Sequence, residues 1–335
     1  MKAVILVGGF GTRLRPLTFT NPKQMLPVGH ESMIEHVIRS LGSHGVTEAV
    51  LALGYKQDVF TNAFPDGICA GVKLHYAVEP EPLDTAGAIG FAARHAGIDE
   101  RFVVVNGDII TDMNLGELWK FHRDAGAQAT ISLTPVDDPS RYGVVPTDDD
   151  GRVVGFIEKP PRDEAPTNWI NAGTYVLEPS VLELIEPGRR VSVERETFPA
   201  LAESGTLYAK GSEAYWVDSG TPATYLQIQL DLLDGLRGEA IDGVHSTATV
   251  DPEASVVRSV IAAGAAISAG AIVRNSIIFP RAVIGANATV DGSMIGGGAT
   301  VGDGASVTGL SVIGDAAKLD PGSSLDGAKL PDAQG

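Results

Sequence analysis

The chain predicts an α/β domain followed by an all-β solenoid: a mostly parallel, doubly wound, Rossmann-like sheet, then a left-handed parallel β-helix. Three observations carry this. Short β-rich runs alternate with amphipathic helical patterns over residues 1–235. The aromatic residues then stop, only Phe279 lying beyond Tyr225. From about residue 247 the chain turns rich in Ala, Gly, Val and Ile, and a period of six begins.

In the first region, Lys2–Val7, Ala49–Leu53, Leu74–Val78 and Phe102–Val105 read as strands, the first and fourth as nearly continuous apolar runs. Runs of that kind suit strands buried on both faces. Between the first two, Ser32-Met33-Ile34-Glu35 has the form of a capping box, with Ile34, Val37, Ile38 and Leu41 following at helical spacing. Further helices are expected around Thr85–Ala96 and Leu115–Ala125. Strand–helix alternation points to a parallel sheet covered on both faces, with ligands beyond the carboxyl ends of its strands.

In the second region, large apolar residues fall at Ile261, Ile267, Val273 and Phe279, slip by one to Ile284, reach Val290, and slip again to Ile295. Val301, Val307, Ile313, Leu319 and Leu325 continue the row, with small residues such as Ala265, Ala271, Ala288, Ala299 and Ala305 four places after many of them. One large and one small inward position per six residues is the pattern of a parallel β-helix, three hexads to a coil. Residues 261–326 supply between three and four coils. The expected division is therefore 1–235 for the α/β domain, 236–247 for a connector and 248–335 for the repeats.

Charge and composition narrow the function. The 25 Lys and Arg against 42 Asp and Glu leave −17 at pH 7, which disfavours binding to nucleic acid or to an anionic membrane. The single cysteine, Cys69, excludes an internal disulfide and a cysteine-based zinc site. The first apolar run, Ala3–Val7, is too short for a signal sequence or a span, so a cytoplasmic setting is expected.

Against this acidic background, residues 8–30 contain Arg13, Arg15 and Lys23 and no carboxylate. Gly8-Gly9-Phe10-Gly11-Thr12-Arg13-Leu14-Arg15-Pro16-Leu17-Thr18 follows the first strand directly. With Leu14 at the third glycine position it is no dinucleotide fingerprint, and without Gly-Lys-Ser/Thr it is no Walker loop. Its unhindered backbone N–H groups and flanking cations suit phosphate oxygens.

Five motifs in order carry a resemblance: this loop with Asn21-Pro22-Lys23, then Asn106-Gly107-Asp108, Phe156-Ile157-Glu158-Lys159-Pro160, Asn171-Ala172-Gly173 and Trp216-Val217-Asp218-Ser219-Gly220-Thr221-Pro222. Together with the hexad tail they cover nearly the whole chain, which resembles the sugar-1-phosphate nucleotidylyltransferases. Within that family it is most similar to bacterial mannose-1-phosphate guanylyltransferases, including the stretch Val191-Ser192-Val193-Glu194-Arg195-Glu196.

The resemblance implies that an NTP and a sugar 1-phosphate react to an NDP-sugar and pyrophosphate. Two polyanions must meet, so the task is charge neutralisation and positioning. It assigns catalysis to Arg13, Lys23 and Lys159. It gives Mg²⁺ to Asp108 and Asp218, whose oxygen donors suit a hard ion at a phosphate site. Leu6, Gly8, Gly9, Gly11, Thr12, Glu79, Asp84, Thr85 and Gly107 fall on the nucleotide side, and Gly143, Glu158 and Asn171 on the sugar side. A carboxylate at Glu79 can accept from guanine N1–H and N2–H₂ together, which favours GTP, and with it mannose 1-phosphate. Asp84 stands where the family usually has glycine and is expected to bring a charge near the nucleotide. Gln24 replaces the usual second proline of Pro-Lys-Pro.

Other readings are a thymidylyl- or uridylyltransferase acting on glucose 1-phosphate, a catalytically silent regulatory homologue, or an acyltransferase working through the solenoid. The silent homologue should have lost one of the charged residues, and all are present. The acyltransferase needs a histidine on the repeats, and the last histidine is His245. Self-association into a homo-oligomer is the family expectation.

Overall fold

The computed structural model describes residues 1–54 and 56–331. The chain forms two compact units. One comprises residues 1–9 and 34–216, the other residues 10–33 and 217–335.

The first unit is built on a sheet of ten strands among the described residues. Its centre is parallel: β1 (Lys2–Leu6) pairs with β2 (Glu48–Leu53) on one side and with β4 (Phe102–Asn106) on the other. Beyond β2 lies β3 (Val72–Val78), also parallel. The expected strands are therefore present, each within two residues of its bounds. Ala3, Val4 and Ile5 in β1 and Phe102, Val103 and Val104 in β4 are wholly buried. Each large apolar side chain so removed from water contributes about 2 kcal/mol, which fixes these strands at the centre of the sheet.

The helices fall where the periodicity places them: α1 (Met33–Ser43), α2 (Asp84–His95) and α3 (Leu115–Ala125). Ala86, Ile89, Ala92 and Ala93 of α2 join the core formed by Val4, Val50, Ala77 and Val104. Asn114 caps α3, accepting from Glu117 N at 3.2 Å, and Gly126 closes it in a left-handed conformation. Past β4 the sheet changes sense. β6 (Trp169–Leu177) runs antiparallel to both β4 and β5 (Ala129–Pro135). A bulge lies between Asn171 and Tyr175 of β6.

In the second unit, residues 249–330 form three sheets of five parallel strands each, a three-sided parallel β-helix of the left-handed kind with five coils. The inward row is Ile261, Ile267, Val273, Ile278, Ile284, Val290, Ile295, Val301, Val307 and Ile313, with Ala265, Ala271, Ala282, Ala288, Ala299 and Ala305 between. This corrects one position of the sequence reading. The inward residue is Ile278, and Phe279 points elsewhere, its ring 6.4 Å from that of Tyr225. The step from Val273 to Ile278 is five residues rather than six, so the slip comes one side of the coil earlier than the apolar row suggested. The register is 17 residues per coil from Val256 to Val307, then 18 to Leu325.

The first coil lies ahead of the row expected from the sequence, and its inward residues Val250 and Val256 are only partly buried. One corner carries a ladder of buried serines. Ser276 N donates to Ser259 Oγ and Ser293 N to Ser276 Oγ, each at 3.1 Å, while each hydroxyl donates to a carbonyl of its own coil. This satisfies polar groups that the solenoid interior would otherwise strand. No helix among the described residues is long and apolar enough to cross a membrane.

Candidate active site

In the first unit the candidate residues gather past the carboxyl ends of the parallel strands. Leu6 ends β1, opposite Asn106 of β4. Gly107 N donates to Leu6 O at 2.9 Å, and a Cβ at Gly107 would come within 2.9 Å of Val7 Cγ1 and 3.0 Å of Leu6 O. Only glycine allows that crossing, which sets Asp108 directly beyond β4. A Cβ at Gly8 or Gly9 would meet nothing within 4 Å, so the backbone there borders open space that a phosphate could fill.

Glu79 follows β3. Its Oε2 accepts from Leu83 N at 2.9 Å and closes the Glu79–Leu83 loop on itself. Burial raises its carboxyl pKa above the usual glutamate range, against the opposing pull of the Leu83 N–H. One oxygen thus already serves the loop, and its remaining lone pairs are what Glu79 can offer a base.

The raised value has a sign for stability. Folding favours the protonated form, so the cost of ionisation is absent below the ordinary value of 4.5 and complete above the folded one. Glu79→Gln keeps the acceptor for Leu83 N and removes the charge. Its melting temperature is expected to equal or exceed the parent's at about pH 8, the difference closing by about pH 4. A variant less stable than the parent at the higher pH alone would contradict this.

Asp84 begins α2 with a φ of 61°, the left-handed conformation for which the family's glycine is suited. Its Oδ1 accepts from Thr85 N at 2.9 Å. Its Oδ2 lies 2.7 Å from Arg195 and 3.7 Å from Arg190. The charge expected near the nucleotide therefore comes with two arginine partners. Thr85 Oγ1 donates to Glu194 Oε2 and accepts from Val193 N, both at 2.8 Å. Ala86 N and Gly87 N donate to Val191 O, and Val191 N donates to Leu83 O. The segment 191–195 thus cradles the loop from Glu79 to Thr85. The sequence displayed this segment as a motif without revealing its role.

On the sugar side, Gly143 pairs antiparallel with Glu158, and Val144 with Ile170 of β6, so Gly143, Glu158 and Asn171 lie on neighbouring strands. Lys159 has a φ of 50° and donates its N–H to Tyr142 O at 3.0 Å. Its Nζ meets Glu158 Oε1 at 2.5 Å, and both side chains are exposed. Asn171 does structural work as well. Its Oδ1 accepts from Gly173 N within the bulge, and its Nδ2 donates to the hydroxyl of buried Tyr175, both at 2.9 Å.

The second unit holds Gly11, Thr12, Arg13, Lys23 and Asp218. Thr12–Leu14 and Lys23–Met25 form short 3₁₀ turns. Leu14 and Leu17 are wholly buried and anchor the loop, and Thr18 Oγ1 donates to Gly11 O at 2.8 Å. Lys23 is 8% exposed, a cation largely withdrawn from water. Gln24 beside it is buried, and its Oε1 has no hydrogen-bond partner among the described residues. Asp218 Oδ1 accepts from Gly220 N at 2.7 Å. A Cβ on Gly220 would overlap the Arg13 guanidinium and come within 2.8 Å of Asp218 Oδ1. Arg13 and Asp218, distant in sequence, therefore both lie against Gly220.

A family model described as nucleotidyl transferase matches residues 2–235. The chain belongs to that family. A second model, described as the GMPPB C-terminal domain, matches residues 241–332. The mannose-1-phosphate guanylyltransferase of Mycobacterium tuberculosis is 40% identical over 282 residues, 81% of this chain and 77% of that one. The mannose-1-phosphate guanyltransferase of Aspergillus oryzae is 46% identical over 230 residues, 68% of this chain and 62% of that one. Among solved structures, HddC from Yersinia pseudotuberculosis superposes with a TM-score of 0.59 at 30% identity, over 68% of this chain and 97% of that one. The same protein has been solved complexed with GMP-PN.

For the divalent metal that the family generally uses, the first unit offers the carboxylate of Asp108 and the second that of Asp218. Among the described residues no group of three or more His, Cys, Asp or Glu side chains could hold an ion by itself. Each of these two carboxylates is a hard oxygen donor of the kind a divalent ion at a phosphate site prefers.

Proposed function

We propose that this nucleotidyl transferase makes GDP-mannose and pyrophosphate from GTP and mannose 1-phosphate in the cytoplasm, as a homo-oligomer. The observation that carries the reading is the match, through both the α/β region and the repeats, to relatives named for that activity. The chemistry of the site residues agrees with it.

A phosphate oxygen of the sugar attacks the α-phosphorus of GTP. The new O–P bond forms as the bond to the β-phosphate oxygen breaks, and pyrophosphate leaves with the electron pair. No redox step and no covalent enzyme intermediate are needed. Arg13 and Lys23 would stabilise charge on the transferring and leaving phosphates, and the glycine backbone at 8, 9 and 11 would hold their oxygens. Lys159 would exchange Glu158 for the sugar phosphate, freeing Glu158 for a sugar hydroxyl. Asp108 and Asp218 would hold Mg²⁺, which supplies charge neutralisation between the phosphates. Glu79 would read the guanine edge, and Thr85 the adjoining loop.

A matrix of GTP, dTTP, UTP and ATP against mannose and glucose 1-phosphates, read as pyrophosphate release, tests this. Turnover is expected to be highest for GTP with mannose 1-phosphate. Preference for dTTP or UTP with glucose 1-phosphate would overturn the substrate assignment. Silence in every combination would overturn the enzymatic one.

A further inference from the structure

The loop that carries Arg13 and Lys23 is held from two directions within the second unit. On one side is α4 (Pro222–Leu233). Gln229 donates from Nε2 to Pro27 O and accepts from Gly29 N, both at 2.7 Å, and the Tyr225 hydroxyl donates to Pro27 O. On the other side is the β-helix. Pro16 lies against Gly314, where a Cβ would come within 2.8 Å of the Pro16 ring. One oxygen of Asp315 accepts from Thr20 Oγ1 and from Asn21 Nδ2, the latter at 3.3 Å. The other accepts from Gly297 N of the preceding coil at 2.7 Å. Lys329 Nζ donates to the carbonyl of Arg13 itself at 3.1 Å.

Buried Leu14 and Leu17 anchor residues 10–26 at one point, but the regular structure there is two three-residue 3₁₀ turns, too little by itself to hold both Arg13 and Lys23 in place. A flexible backbone of that length would sample many conformations, and transfer between phosphates tolerates little misplacement of a stabilising cation. We propose that the fourth and fifth coils of the β-helix set the position of the phosphate loop, with Asp315 and Lys329 as positioning residues for the transfer reaction. Asp315 fixes the segment between Arg13 and Lys23 to the coil, and Lys329 fixes the Arg13 backbone. The β-helix then contributes directly to the rate. The inference rests on the guanylyl-transfer reading.

Asp303 supplies the control. It makes the same coil-to-coil bond, to Ala286 N at 2.8 Å, and no bond to residues 10–33 among the described residues. The experiment compares the full-length parent with Asp315→Ala, Lys329→Met, Asp315→Asn and Asp303→Ala. It reads kcat and KM for GTP with mannose 1-phosphate, and amide hydrogen exchange over residues 10–26. Asp315→Ala and Lys329→Met are expected to speed exchange in that loop and to lower kcat/KM about tenfold, chiefly through kcat. Asp315→Asn, which keeps one acceptor, should recover part of the loss. Asp303→Ala should match the parent in both readouts.

Parent-like loop exchange in Asp315→Ala and Lys329→Met would overturn the proposal, as would an equal loss of rate in Asp303→Ala. Should Asp315→Ala fail to fold, Lys329→Met decides alone. A parent that does not turn over GTP would instead overturn the functional reading, and loop exchange would still judge the docking.

Discussion

Arg13→Ala should lower kcat by about a hundredfold or more with the melting temperature unchanged. The side chain is exposed, and Leu14 and Leu17 supply the loop's anchorage, so truncation removes charge without opening the core. Its place against Gly220, beside the Asp218 carboxylate, suits a group that meets phosphate charge as it develops. Asp218→Asn tests the other half of the pair. Asparagine keeps an acceptor for Gly220 N and gives up the negative charge, so a similar fall is expected with the turn intact. Near-parent rates in either variant would remove that residue from the mechanism.

Gly220→Ala should cost about as much, for a steric reason. Its φ lies outside the left-handed region, so alanine fits the backbone, yet the new methyl would occupy the space of the Arg13 guanidinium. The guanidinium must move, and displacement by about 1 Å is enough for a hundredfold loss. The double variant separates this from general damage. If the methyl acts through Arg13, adding Gly220→Ala to Arg13→Ala should change kcat little further. Independent, additive losses would show that Gly220 matters for some other reason.

Much of the architecture was legible because burial imposes a period. A β-helix side admits one large and one small inward residue, and the chain repeats that demand for five coils. The pattern is ambiguous where two large apolar residues adjoin. Ile278 and Phe279 both satisfy the hydrophobic pattern, and only the five-residue side decides between them. In the first unit, β1 and β4 were plain because both faces are buried. The antiparallel β6 was not foreseen, since strand direction depends on pairing rather than on local pattern.

The site divides the same way. Glycines and cations suited to phosphate stand close together in the sequence and could be recognised there. The partners that hold them in place do not. Nothing local to Asp84 points to Arg195, and nothing local to Arg13 points to Lys329 or to Gly220. Such contacts become visible only once the chain is folded. The exchangeable meaning of Asn171, a sugar ligand by resemblance and a brace for the Gly173 bulge by geometry, belongs to the same class.

Attack of the sugar phosphate on the α-phosphorus of GTP is tested most directly by incubating the protein with GTP labelled at the α-phosphate, mannose 1-phosphate and Mg²⁺, and following the label. The label is expected to appear in GDP-mannose, with one unlabelled pyrophosphate released for each. Label recovered as free GMP, or left in GTP while the protein remains folded, would contradict it.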